Sequence, residues 1–364
     1  MSREPHFREA PLTASAGVDA GRNWEPRRKS RSAGDAARTS YYDQPVIHKP
    51  HWGWLIITYF FLGGLSGGSY VIASIAELVG SPGGGRITRV GRFLSLAALL
   101  PCPILLILDL GRPERFLMML RVVKLRSPMS LGTWGLTMFG GCCTLSALSE
   151  AAGAGLIGDS NGLRRLLRPV PTRVLGAVGM LPAFFITGYT GVLLAATAVP
   201  LWTRSYLLLG PLFLTSSLSS AAAAIALILA CMRGTSRKTL ASLERLGALT
   251  HVAEIGLLLA ARANAGDRLA RPLESGRLGQ LHRLGVLGVG LLAPLALESR
   301  ALRPGAAPSR AETIAASICA LIGGYLLRYV TVMAGRASAD DPYSTFAIAG
   351  VGAGGPGLSG DPVR

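Results

Sequence analysis

Eight stretches of predominantly apolar residues, separated by segments rich in Pro, Gly and Arg, constrain this chain more than any other feature. They fall at about 54–79, 93–110, 129–150, 174–199, 206–232, 246–261, 284–297 and 314–334. A bilayer core about 30 Å thick is crossed by about 20 apolar residues in helical form. Within it every backbone N–H and C=O must be paired inside the segment, which excludes open strands. Composition agrees: half of the 364 residues are hydrophobic and only 16% are charged, with a mean hydropathy of +0.41. The 46 glycines suit lipid-embedded helices, where small residues let backbones approach. The expectation is an all-α integral membrane protein with eight transmembrane helices in two four-helix bundles. The 246–261 and 284–297 stretches are short, and Pro294 interrupts the latter.

A net charge of +17 would point to nucleic acid in a soluble chain. Here the basic residues belong to loops, where they set topology and meet anionic lipid. Nine of the 37 Lys and Arg precede Trp54, among them Arg27, Arg28, Lys29 and Arg31, so residues 1–53 read as a solvated basic tail. No apolar stretch follows the twin arginines before Trp54, which argues against a cleaved signal peptide. Residues 54–336 form the membrane domain, and 337–364 a Gly-rich, irregular second tail. Lys and Arg are balanced between the two sets of loops, so charge does not fix the orientation. The five cysteines (Cys102, Cys142, Cys143, Cys231 and Cys319) lie inside apolar stretches without a C-x-x-C spacing. An iron–sulfur cluster needs thiolates converging from set spacings, so these read as small packing residues.

Ionisable side chains inside membrane spans are costly and face a cavity or a partner. Five fall within or at the ends of the apolar stretches: Glu77, Asp109, Glu150, Glu254 and Arg328. The first three lie near helix ends and have the option of snorkelling to the interface. Glu254 and Arg328 lie deeper and point to a polar pathway. His251 and Glu254, three residues apart, share one helix face, a spacing suited to proton relay. Of the five histidines only His251 is well inside a span, so two imidazoles cannot face one haem, and none is expected. Tyr59 precedes the small-residue run Gly63-Gly64-Leu65-Ser66-Gly67-Gly68, and Tyr189 lies late in the fourth stretch. Since consecutive helices run oppositely, Tyr59, Asp109 and Tyr189 share one layer near one membrane face. Phenol hydroxyls there are suited to hydrogen-bond a quinone carbonyl, although interfacial tyrosines also form aromatic belts.

The run Phe60-Phe61-Leu62-Gly63-Gly64-Leu65-Ser66-Gly67-Gly68 and the loop Asp109-Leu110-Gly111-Arg112-Pro113-Glu114-Arg115-Phe116 are recognisable. So are Ser127-Pro128-Met129-Ser130 with Gly132-Thr133-Trp134-Gly135, Gly188-Tyr189-Thr190-Gly191 before Val199-Pro200-Leu201-Trp202, and Leu327-Arg328-Tyr329-Val330. Together they resemble the NrfD/polysulfide reductase membrane-subunit family over about residues 54–336. The resemblance implies an eight-helix, quinone-reactive anchor in a bacterial-type cytoplasmic membrane. It would carry menaquinone or ubiquinone and no haem or iron–sulfur cluster of its own. Its implied partners are a four-cluster ferredoxin-like iron–sulfur subunit and, through it, a molybdopterin or cytochrome catalytic subunit. Tyr189, with Thr190 beside it, matches the family's quinone-binding position in the fourth helix, and Tyr59 a polar position in the first. A second polar position of that helix falls near Ile56, which is apolar here. Asp109 would assist proton exchange, and Arg112 and Arg115 would steady the site or dock the iron–sulfur subunit. Glu254 and His251, with Glu77 and Glu150, would carry protons. The rival expectation is a secondary transporter or proton channel without a redox partner. The paired interrupted helices that mark many transporters are not evident in the sequence.

Overall fold

The computed structural model describes residues 50–80, 83–124, 126–156, 167, 170–303 and 309–341. The expected N-terminal tail before residue 50, and the second tail beyond residue 341, lie outside the described residues. Among the described residues the fold is all-helical, without strands. Eight long helical segments follow one another: α1 (Trp54–Val79), α2 (Gly84–Asp109), α3 (Pro128–Gly153), α4 (Thr172–Ala195), α5 (Tyr206–Cys231), α6 (Arg237–Glu274), α7 (Gly276–Leu302) and α8 (Arg310–Asp340). Seven are long and apolar enough to cross a membrane. The exception is α3, which matches them in length but is diluted by Gly, Ser and Thr.

Several boundaries differ from the sequence expectation, for physical reasons. The basic stretch 84–92, expected as a loop, is the first part of α2. Arg89 and Arg92 find carboxylate partners, Arg86 donates to the Gly234 carbonyl, and Arg92 is only 1% exposed. Segment α6 is far longer than 246–261, bends at Gly266 (φ 73°, ψ 170°), and carries polar residues at both ends. In α7, residues Leu281–Leu292 are wound as a π-helix, a period that an α-helical pattern does not reveal. The last helix continues to Asp340 instead of ending near 334. Its start is fixed by a capping box between Ser309 and Glu312. The loop after α2 contains a short helix, Phe116–Arg121.

The first four helices pack on one another, as do the last four, and α1 and α4 join the halves through α5. The glycines of α1 make that seam possible. A Cβ on Gly68 would come within 2.7 Å of the Ser217 carbonyl oxygen on α5, and one on Gly67 within 2.9 Å of the Ala183 carbonyl oxygen on α4. The starts of odd-numbered and the ends of even-numbered helices define a first face, and the opposite termini a second.

Candidate functional site

A cavity of about 530 Å³ opens near the first face within the first four helices. Tyr59 from α1, Asp109 from the end of α2, and Tyr189 from the last turns of α4 all line it. Trp52, and Met119 and Leu120 of the short Phe116–Arg121 helix, help to close its rim. The antiparallel order of the helices brings these residues together, because each lies one or two turns from the same face.

Tyr59 is 4% exposed, and its hydroxyl has no hydrogen-bond partner among the described residues. Tyr189 donates its hydroxyl hydrogen to the carbonyl of Pro128, at the start of α3. Its ring stacks on Phe185 with centroids 4.9 Å apart. The ring has room because Gly132 has no side chain: a Cβ there would fall 2.5 Å from the Tyr189 hydroxyl. The two phenols interact electrostatically. Asp109 is exposed at the rim, in electrostatic contact with His51, which the sequence reading passed over as lying outside the spans. A hydroxyl at the cavity wall without a partner among the described residues, beside an anchored one, is a ready-made acceptor–donor pair for a polar ligand head.

The remaining expected site residues lie elsewhere. Thr190 is buried off the cavity, its hydroxyl without a partner among the described residues. Arg112 is exposed in the loop after α2 and does not line the cavity. The side chain of Arg115 lies outside the described residues. His251 and Glu254 belong to the second half. There His251 Nδ1 is 3.0 Å from Glu298 Oε2, both groups buried, and Glu254 accepts from Ser219 at 3.1 Å. His251 and Arg328 both act electrostatically on Glu254. Arg328 is fully buried, donating to Ser216 and Ser217 at 2.9 Å each and lying over the rings of Phe61 and Phe213. Glu298 was hidden by its position at the end of the seventh stretch, where it read as a loop residue. Helix alternation puts it at the same face as the start of α6, which is the signal that pairs it with His251.

Glu77 and Glu150 do not join that line. Both gather at the second face around Arg92, which donates to Glu77 and lies 3.6 Å from Glu150, while Arg89 meets Glu150 at 3.1 Å. Thr172 closes the cluster with a 2.7 Å hydrogen bond to Glu77. A buried guanidinium held by two partly exposed carboxylates is a structural clamp on α1, α2 and α3. Among the described residues no three His, Cys, Asp or Glu side chains converge as metal ligands.

Fold and cavity together define a multi-pass helical membrane protein with an amphiphilic pocket near one face. The family model described as "Polysulphide reductase, NrfD" matches residues 45–339, and the chain belongs to that family. It is similar to the C subunit of the polysulfide reductase of Wolinella succinogenes, with 29% identity over 303 residues. The match covers 78% of this chain and 94% of that protein.

Proposed function

We propose that this chain is the quinone-binding membrane subunit of a bacterial oxidoreductase complex, with all eight long helices, α3 included, crossing the cytoplasmic membrane. The observation that carries the reading is the cavity at Tyr59, Asp109 and Tyr189, polar at one end only, with the Tyr59 hydroxyl lacking a partner among the described residues. When bound, the quinone supplies two-electron, two-proton redox chemistry. Tyr59 donates a hydrogen bond to a ring carbonyl. The Tyr189 hydrogen is engaged by the Pro128 carbonyl, so its oxygen is turned as an acceptor and favours a ligand hydroxyl. Asp109, exposed at the rim, exchanges protons with water at the first face. Arg112 and the loop around it meet an iron–sulfur subunit there, which hands electrons on to a molybdopterin or cytochrome catalytic subunit. In the second half, Glu254, His251 and Glu298 form a buried line in which protons move. That line is the specific observation behind proton translocation as a second activity.

Tyr189→Phe tests the cavity reading. It keeps the ring and its stacking on Phe185 while removing the acceptor oxygen. A net hydrogen bond of about 1 kcal/mol, strengthened as charge develops, lowers quinol-linked turnover by about tenfold. Membranes holding equal amounts of assembled complex give the comparison. Unchanged turnover and unchanged quinol affinity would return Tyr189 to an interfacial belt role and move the site elsewhere.

A further inference from the structure

One residue of the cavity wall stands outside the long helices. Trp52 lies just ahead of α1, four residues before Ile56 and seven before Tyr59, and all three line the cavity. Helical turns begin at once, since the Ile57 N–H bonds to the Gly53 carbonyl at 3.2 Å. The indole therefore continues, towards the first face, the wall that carries the Tyr59 phenol. Trp52 precedes the N-cap, so helix formation alone gives its carbonyl no partner. Left to itself, such a residue samples many conformations, and a ligand resting on it has to order it.

What fixes Trp52 lies largely in the other half of the molecule. Its ring stacks on Trp202 of the five-residue helix Pro200–Arg204, with centroids 5.6 Å apart and planes 20° from parallel. Phe60 meets it edge-on, at 6.1 Å. Trp202 is in turn immobilised by α8. It is fully buried, and its indole N–H donates to the Thr331 carbonyl at 2.9 Å. It fits only because residue 335 is glycine, as a Cβ there would collide with the indole. At the next position Arg336 donates to the Trp52 carbonyl at 3.0 Å. Helix α8 thus grips Trp52 twice, its backbone directly and its ring through Trp202.

We infer that Arg336 and Trp202 are positioning residues for the quinone site: they hold the Trp52 indole in the cavity wall before the ligand arrives, so that binding does not have to order the chain ahead of α1. The inference rests on the quinone reading above and adds that a site built within the first four helices owes part of its affinity to α8. Neither Arg336 nor Trp202 lines the cavity, so neither touches a ligand seated there, and both act through Trp52. Pre-organisation of this kind tightens binding without adding a contact.

The test uses the assembled complex in detergent. Equilibrium dialysis measures binding of a quinone that carries a methyl group in place of its tail, and steady-state kinetics follow its quinol. Arg336→Met keeps an unbranched stem but removes the donor. It is expected to weaken the probe by about fivefold and raise KM by a similar factor, with kcat changed by less than about twofold. Arg336→Lys retains a donor and is expected to bind within about twofold of wild type. Trp52→Ala should weaken the probe at least as much as Arg336→Met, and the double variant should bind like Trp52→Ala alone, because Arg336 acts through that residue. Trp202→Phe, which keeps a ring to stack but loses the bond to Thr331, is expected to act in the same direction and serves if Arg336→Met assembles poorly. Equal binding by wild type, Arg336→Met and Trp202→Phe overturns the inference, and so do losses that multiply in the double variant. Failure of the quinone reading looks different: the wild type then binds no probe, or Tyr59→Phe and Tyr189→Phe leave its binding unaffected.

Discussion

Tyr59→Phe separates a ligand-binding phenol from a packing residue by the sign of two effects. The side chain is 4% exposed, and its hydroxyl, at the cavity, has no partner among the described residues, so in the ligand-free protein only cavity water can satisfy it. Mutational data put an unpaired buried hydroxyl at about 1–3 kcal/mol. The adjoining cavity has room for water to relieve part of that cost, so about 1 kcal/mol is expected here. Phenylalanine keeps the tilted contact with Phe60, whose ring centroid lies 5.8 Å away, and leaves the volume almost unchanged. Its removal of the hydroxyl should therefore raise the apparent Tm of the ligand-free complex by about 2 °C. With ligand the sign reverses. Loss of one hydrogen bond to a neutral carbonyl, about 0.5–1.5 kcal/mol net, weakens quinone by about two- to twelvefold. Turnover with quinone falls accordingly, and added quinone stabilises the variant less than the wild type. Thermal melts with and without quinone, on detergent-solubilised complex, measure both terms in one experiment. A variant no more stable when empty, and equally stabilised by quinone, refutes the assignment of Tyr59 to the ligand.

Glu254→Gln keeps size and hydrogen-bonding capacity but removes the charge beside His251 and Arg328. Proton movement per electron in reconstituted vesicles should fall while complex assembly survives, and an unchanged ratio would leave Glu254 a purely structural residue. Arg92→Ala leaves Glu77 and Glu150 without their shared counter-ion. It should cost about 2–3 kcal/mol, below the 3–5 of a fully buried pair because both carboxylates are partly exposed; an unaltered melting profile would contradict the clamp. Gly68→Leu drives a side chain into the Ser217 carbonyl and should abolish recovery of monodisperse protein on size exclusion, whereas Gly141→Leu, with nothing within 4 Å of its Cβ, should be tolerated. Equal recovery of the two would mean that α1 and α5 are not in close contact.

The apolar stretches placed α1, α3, α4 and α5 to within a few residues, since each is bounded by Pro, Gly or charge near both ends. They also brought Tyr59, Asp109 and Tyr189 to one layer, because alternation of direction is enough to rank depth. What they concealed follows from pairing. Arg89 and Arg92 look like loop residues until Glu77 and Glu150 are brought beside them, and only then can the helix extend back to Gly84. Glu298 looks terminal until His251 faces it. The π-helical turns of α7 leave no mark in a 3.6-residue pattern, yet they carry Gly290 so close to Gly323 that a Cβ on the former would lie 2.5 Å from the latter's Cα. Loop chemistry was equally silent about Phe116–Arg121, whose residues close the cavity rim.

The seam along α1 has a consequence for how the protein is made. This helix leaves the ribosome before the other long helices of the described residues, and in the finished fold it is the most enclosed of the seven apolar ones. Its polar groups are answered one after another as synthesis proceeds: Ser66 by the Ser95 carbonyl of α2, Tyr70 by Ser146 of α3, and Glu77 by Thr172 of α4. The glycine face is covered last, when Ser217 arrives on α5 and Arg328 on α8. Until then the backbone at Gly64 and Gly68 must wait facing lipid or the insertion machinery. Assembly is thus ordered in time by the sequence itself, and a polypeptide halted after α4 would hold its first-face cavity while leaving Gly64 and Gly68 of α1 bare.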